Sequence, residues 1–320
     1  MRTWTLLVLS GLAACAAVPP VGPLRANLGR EGASSADFRA LASAFATANP
    51  GHSLAFAAAT RELAVQPVAR VGLVQAGEAN MQIACKQAEC MPGEPSAASP
   101  RSSPVGVGDV VVLEPGEAAS FDAPLDLLVF ALPVTPDRSV PRAIRPDWDP
   151  RITDTPGGCA TDGKAYRRIL LTWRGEVGPY TFHGLNVHRV RIDDSFTHYH
   201  PRVGGFDEFY LVQAVREGAR LLTSVRTETI QQPASVRRED VPQLLQSMPL
   251  QQGDLVYLPR GVAHRGLGGV LAQVITVPGF VPGAEIGIDH HLHAINERLG
   301  LSGNEALPVH AAGALQPIVR

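Results

Sequence analysis

Two segments carry the clearest pattern in the 320-residue chain: HYHPRVGGFDE, from His198 to Glu208, and GDLVYLPRGVAH, from Gly253 to His264. Alternate side chains of a β-strand face the same side, so His198 and His200 would project together. Glu208 can join them if the chain turns back after the glycine pair, and His264 can arrive from a neighbouring strand. Three imidazoles and one carboxylate are suitable ligands for one divalent metal ion.

The second segment resembles a motif of the cupin superfamily. That motif reads Gly-x-x-x-x-x-Pro-x-Gly-x-x-His, and the chain matches it without a gap at Gly253, Pro259, Gly261 and His264. The asparagine that often follows the motif is replaced here by Gly268.

The first segment resembles the other cupin motif, His-x-His followed by Glu and then Gly. The gap before the glutamate is longer than usual, and Val215 stands where the glycine is expected. Asp207 is adjacent, but we assign the ligand to Glu208 because the family's glutamate opens an apolar strand and residues 209–212 are apolar. The resemblance therefore implies a metal site made of His198, His200, Glu208 and His264.

The resemblance also implies a fold and a cofactor. The fold is all-β, with double-stranded β-helix (cupin, jelly-roll) barrels, and residues 166–285 form the metal-binding barrel. The cofactor is one divalent transition metal: iron, manganese, nickel, copper or zinc. Tyr210 shares strand parity with Glu208, which makes it a candidate acid or hydrogen-bond donor, with core packing as the alternative. His183 and His188 are expected to be solvent or edge residues.

An internal repeat predicts a second barrel. Residues 108–119 align without a gap with residues 253–264, and the Leu-Val-Gln-Ala sequence at 73–76 recurs at 211–214. In this alignment Ala119 matches His264, and Arg70 lies opposite Glu208. Residues 51–140 are therefore read as a degenerate cupin-like barrel without ligands. An unrelated β-domain with a similar glycine turn remains the alternative.

Short helices and connections are predicted to flank the two barrels. A tether and a short helix occupy residues 15–50, with the serines at 34–35 capping the helix. Residues 141–165 are rich in Pro, Asp and Gly and form a linker. Residues 286–320 form a C-terminal helix and tail, and the helical spacing of His290, His291 and His293 does not favour a shared metal ion.

The N-terminus has the pattern of an export signal. Arg2 is followed by an apolar run at residues 4–12, which is shorter than the about 20 residues of a membrane-spanning helix. Leu-Ala-Ala-Cys at 12–15 resembles a bacterial lipobox, with residues 1–14 as signal peptide and Cys15 as the lipidated residue. Ala16 follows, which implies anchoring at the periplasmic face of the outer membrane. An ordinary secretory signal cut near Ala14 or Ala17 is the alternative.

The remaining cysteines and the overall charge limit the function. Cys85 and Cys90 are close enough in sequence for a disulfide in an exported protein. A net charge of −2 argues against a nucleic-acid partner. The partners we expect are a small molecule and a membrane reached through the lipid, with a homodimer left open. An intact four-ligand site favours a metal-dependent, dioxygenase-like enzyme. A non-catalytic ligand-binding or scaffold lipoprotein is the alternative.

Overall fold

The protein is described by a computed structural model covering residues 22–32, 35–85, 102–157 and 165–320. Cys15, Cys90 and the side chain of Cys85 lie outside the described residues, so lipidation and the disulfide stay predictions. Within the described residues, no helix is both long and apolar enough to cross a membrane.

The first half of the chain forms a seven-stranded antiparallel sheet that curves into a barrel, in the order β5-β4-β7-β3-β6-β8 with β2 on β7. The elements of this half are β1 (Leu24–Asn27), α1 (Leu28–Glu31), α2 (Ala36–Ala48), β2 (Ser53–Leu63), β3 (Ala69–Ala76), β4 (Ala79–Cys85), β5 (Ser102–Val105), β6 (Val110–Leu113), β7 (Glu117–Leu132) and β8 (Ala143–Ile144).

The second half, together with β1, forms a ten-stranded antiparallel sheet in which the long strand β16 pairs with β10, β11, β12 and β13. Its elements are β9 (Arg167–Leu171), β10 (Asn186–Asp194), β11 (His198–Tyr199), β12 (Asp207–Val215), β13 (Arg220–Ser224), α3 (Thr227–Ile230), β14 (Gln246–Pro249), β15 (Asp254–Leu258), β16 (Ala263–Val277), β17 (Ile286–Gly287) and α4 (Asp289–Leu299). Four 3₁₀ turns complete it: Pro233–Ser235, Arg238–Gln243, Gly303–Glu305 and Ala311–Gly313. The predicted two-barrel, all-β fold with short flanking helices is confirmed.

Successive side chains of a strand face opposite sides of its sheet. One side forms the interior of each barrel, and the other side contributes to a core that both barrels share. Tyr210, Val212 and Val256 belong to the interior of the second barrel. Residues of opposite parity on the same strand, such as Phe209, pack with Phe130 of the first barrel in a common cluster. The two sheets therefore bury their outer faces against each other, which fixes the two barrels together.

The N-terminal segment joins both barrels. The Ser35 hydroxyl accepts a hydrogen bond from the Phe38 amide and begins α2, as the capping pattern predicted. Phe45 on this helix lies edge-on to Phe130 and Phe209, so the helix closes one end of the shared core. Strand β1, within the segment that we expected to be a tether and a helix, pairs with β15 of the second barrel.

Candidate metal centre and adjoining pocket

The structure brings together the four side chains that the motifs predicted as ligands. One ligand atom from each of His198, His200, Glu208 and His264 lies within 4.8 Å of every other. Short strand β11 carries His198 and pairs it directly with His264 on β16, while Glu208 is the second residue of the neighbouring strand β12. All four side chains are buried; three separate strands of one sheet carry His198, Glu208 and His264, and His200 directly follows β11.

Backbone hydrogen bonds orient the three imidazoles. The Nδ1 atoms of His198 and His264 lie 3.1 and 3.3 Å from the carbonyl oxygens of Phe196 and Val262. His200 bonds the backbone of Phe206. With Nδ1 carrying the proton, Nε2 presents a lone pair to the cluster, which is the arrangement typical of metal-ligating histidines.

The unpaired nitrogens of this cluster fit a bound cation. The Nε2 atoms of His198 and His200 are buried and have no hydrogen-bond partner among the described residues. Burial lowers the pKa of both imidazoles, and it lowers that of His264 to about 4. Neutral imidazoles are the form that binds metal, so the donor set suits one divalent ion.

Glu208 is also kept neutral by burial when no cation is bound. Its pKa is raised to about 8, mainly by burial, with a lowering effect of His198 and a smaller raising effect of the nearby Glu285 carboxylate. Its Oε1 lies 3.1 Å from His264 Nε2. With both groups neutral, this contact is a hydrogen bond that Glu208 donates rather than an ion pair.

Asp207, the neighbouring acid, has a different role. Its carboxylate is buried and accepts hydrogen bonds from the Tyr257 hydroxyl at 2.8 Å and the Asn49 amide at 2.6 Å. Arg260, in the second motif, donates to it through both the backbone amide and the guanidinium. Asp207 therefore ties α2 and the second motif to the strand that carries Glu208.

The candidate acid Tyr210 lies deeper in the same barrel. Its side chain is fully buried, and its ring centroid lies 6.1 Å from that of His264. Strand parity places it on the interior face with Glu208, as expected. Its catalytic role stays a prediction.

A pocket of about 350 Å³ adjoins the cluster, and Glu208 forms part of its wall. Most of the wall comes from β9, β10 and the loops around them, and it includes polar and charged side chains that the sequence analysis did not select. These are Arg167, Thr172, Trp173, Arg174, Asn186, His188, Thr276, Glu285 and Arg320.

His188 departs from the expectation of a solvent or edge residue. It lines the pocket, and its Nε2 is buried without a hydrogen-bond partner in the described part of the chain. Burial lowers its pKa well below the ordinary value, and the positive charge of Arg167 lowers it further. The two-residue period of the strand did indicate an inward-facing side chain here, because His188 is in phase with the interior residues Val190 and Ile192.

Glu285 is a second carboxylate at the metal centre that no motif indicated. It is 6% exposed, and its Oε1 lies 3.4 Å from His198 Nε2. Its backbone exchanges hydrogen bonds with Arg320, so the C-terminal segment holds it against the pocket.

Comparison with solved structures finds oxalate decarboxylases at low sequence identity. The formate complex of the Lactobacillus farciminis enzyme is 14% identical, covering 88% of this chain and 95% of that chain, with a TM-score of 0.47. A mutant of the Bacillus subtilis enzyme is 13% identical, covering 80% and 74%, with a TM-score of 0.44. No protein-family model matches the chain, and no curated protein matches it. The cupin-type fold rests on the strand order, and the metal site on the four-residue cluster.

Proposed function

We propose that this protein is a metal-dependent, oxygenase-like enzyme that acts on a small organic molecule in the pocket beside the metal centre. One observation carries the proposal: Glu208 belongs both to the buried four-ligand cluster and to the wall of the pocket. A divalent ion held there would polarise an oxygen, bind dioxygen or activate water. Three histidines and one glutamate leave two positions of a six-coordinate ion for other ligands.

The character of the pocket favours catalysis over a purely structural metal. A scaffold would surround its ion with Leu, Val and Phe, as the deeper part of this barrel does at Val190, Val212 and Val256. The wall of the pocket beside the cluster, by contrast, contains three arginines, two threonines and a histidine in addition to its apolar residues. Side chains of this kind bind and orient a polar molecule next to the ion.

The test is metal content measured together with turnover. Protein from its native compartment is analysed by mass spectrometry and then assayed for oxygen uptake and carbon dioxide release with a panel of small carboxylic acids. We expect about one equivalent of metal and turnover that depends on it. Less than about a tenth of an equivalent after reconstitution would contradict the metal site. Full metal without turnover across the panel would favour the non-catalytic lipoprotein.

We also propose that the protein is exported and lipid-anchored through Cys15 at the periplasmic face of the outer membrane. The lipobox-like sequence before Cys15 supports this. The Cys15→Ser variant should move from the membrane fraction to the soluble fraction, because an acyl anchor supplies the membrane affinity. The matched control is Ala17→Ser, which alters the alternative cleavage site and should leave partitioning unchanged. Membrane association of Cys15→Ser equal to wild type would contradict lipidation.

A further inference from the structure

The wall of the pocket contains four buried polar atoms that lack a partner. Thr172 Oγ1, Trp173 Nε1, His188 Nε2 and Thr276 Oγ1 have no hydrogen-bond partner within the described residues. Thr172 and Thr276 are 0% and 3% exposed. Burying such groups without a partner destabilises a folded protein, and native proteins seldom bury several together. Their convergence on one pocket points to a bound molecule that pairs with them.

The donors in the wall define the charge of that molecule. Arg167, Arg174 and Arg320 line the pocket, and the indole N–H of Trp173 does so as well. Guanidinium and indole groups donate hydrogen bonds and accept none, so the molecule must present acceptors. The three arginines outnumber the two carboxylates in the wall, and a bound divalent ion adds positive charge. A carboxylate matches the planar guanidinium fork and this electrostatic environment.

A row of aromatic rings in the pocket wall indicates the chemical character of the rest of the bound molecule. Trp173 stacks on Phe280 at a centroid distance of 4.3 Å, and Phe280 lies 5.2 Å from Phe206. Phe206 in turn lies 3.9 Å from the ring of the metal ligand His200. The pocket therefore has an apolar wall that runs from Trp173 to the cluster, along which a flat apolar group gains favourable contact.

We propose that the pocket binds a monocarboxylic acid with an aromatic or similarly sized apolar body. The carboxylate is held by Arg167 and the Trp173 N–H, and the body lies along Phe280 and Phe206. This arrangement directs the end of the molecule remote from its carboxylate toward the metal cluster. The inference rests on the proposed function, since it names the substrate class of the same site.

The first test compares three probes by calorimetry on the full metal-loaded chain. Benzoate has both the charge and the ring, benzamide has the ring alone, and acetate has the charge alone. We expect benzoate to bind at least about tenfold more tightly than either control probe. Equal affinity for benzamide would overturn the carboxylate site, and equal affinity for acetate would overturn the apolar body.

The second test assigns the binding to named residues. Arg167→Gln removes one guanidinium, and Trp173→Phe removes the indole N–H while keeping an aromatic ring. Each should weaken benzoate binding about tenfold. The control is Arg216→Gln, because Arg216 pairs with Asp193 on the surface and lies outside the pocket wall. Equal losses in Arg216→Gln, or none in both pocket variants, would refute the assignment.

Failure of this inference can be told apart from failure of the proposed function. A chain that never takes up metal but still prefers benzoate to benzamide would contradict the enzyme and uphold the carboxylate site. A metal-loaded chain that turns over a neutral substrate and does not bind benzoate would uphold the enzyme and overturn the carboxylate site.

Discussion

The two barrels have the same strand arrangement but bury side chains of different chemical character at equivalent positions. In the second barrel, His198 pairs with His264 across β11 and β16. In the first barrel, the corresponding pair across β2 and β7 is Leu63 and Ala119. The same register therefore positions two metal ligands in one barrel and two apolar side chains in the other.

The residue of the first barrel that corresponds to the ligand Glu208 shows how this barrel is stable without a metal site. Arg70 pairs with Leu113 just as Glu208 pairs with Leu258. The Arg70 side chain is 2% exposed, and it donates hydrogen bonds to the carbonyl oxygens of Ala64 and Glu117, both at 2.6 Å. Burial lowers its pKa, and the negative charge of Glu117 partly offsets this. One internal cation that donates to two backbone carbonyls thus stands where the other barrel has its metal-binding carboxylate.

Removal of a histidine ligand should give the largest effect in this comparison. His198→Ala, His200→Ala and His264→Ala should each reduce bound metal from about one equivalent to below a tenth, because each removes one of four ligands. Mass spectrometry of the purified variants measures this. Leu63→Ala, the counterpart of His198→Ala in the first barrel, should keep its full metal content. Full metal in all three histidine variants would exclude the site.

Removal of Arg70 tests whether the first barrel depends on its internal cation. Arg70→Ala leaves a cavity and two unpaired carbonyl groups, so we expect a loss of about 3 kcal/mol in the free energy of unfolding. Urea denaturation measures the change, and exposed Arg138→Ala in the same barrel should stay within about 0.5 kcal/mol of wild type. If Arg70→Ala left the free energy of unfolding unchanged, the stability of the first barrel would not depend on this buried cation.

Proton competition at Glu208 should make metal affinity depend on pH. The pKa of this carboxyl is raised to about 8, so below that pH a metal ion must displace its proton. Affinity should rise roughly tenfold per pH unit between about pH 6 and 8 and then level off. The His264 pKa of about 4 keeps that imidazole neutral throughout this window. Glu208→Gln, which has no titrating proton, should abolish the slope; an unchanged slope would place the competing proton elsewhere.

The smallest expected effect concerns the contact between the barrels. The buried Gln75 amide in the first barrel donates to the Val212 carbonyl of the second at 2.9 Å. Gln75→Ala should cost about 1 kcal/mol of unfolding free energy and leave metal content unchanged. Exposed Gln82→Ala is the control in thermal unfolding. Loss of metal in Gln75→Ala would mean that the two barrels are coupled more strongly than this contact indicates.

Local sequence was enough to predict the metal cluster. The ligands fall in two short motifs, and the two-residue period of a strand decides which side chains face inward. The repeat also placed Arg70 opposite Glu208, and the strand register gives the same equivalence.

The pocket could not be predicted in this way, because its wall comes from distant parts of the chain. Glu285 lies near His198 because the short strand β17, which follows it, pairs with β11, and Val319 near the end of the chain pairs in turn with Ile286. Short segments of this kind have no periodic pattern of their own. The position of His188 was predicted wrongly for another reason: its phase with Val190 indicated the interior, but histidine has only an intermediate tendency to be buried.

The pairing of β1 with β15 has a consequence for how the chain folds. Asn27 and Asp254, whose side chains are hydrogen-bonded at 2.8 Å, are 227 residues apart in sequence. During synthesis β1 therefore emerges long before its partner and must stay unpaired until β15, Asp254–Leu258, has been made. Contacts of such high sequence separation slow folding, because a very long loop has to close first. We therefore expect the second barrel, although it contains the metal motifs, to fold incompletely when it is expressed without the first fifty residues.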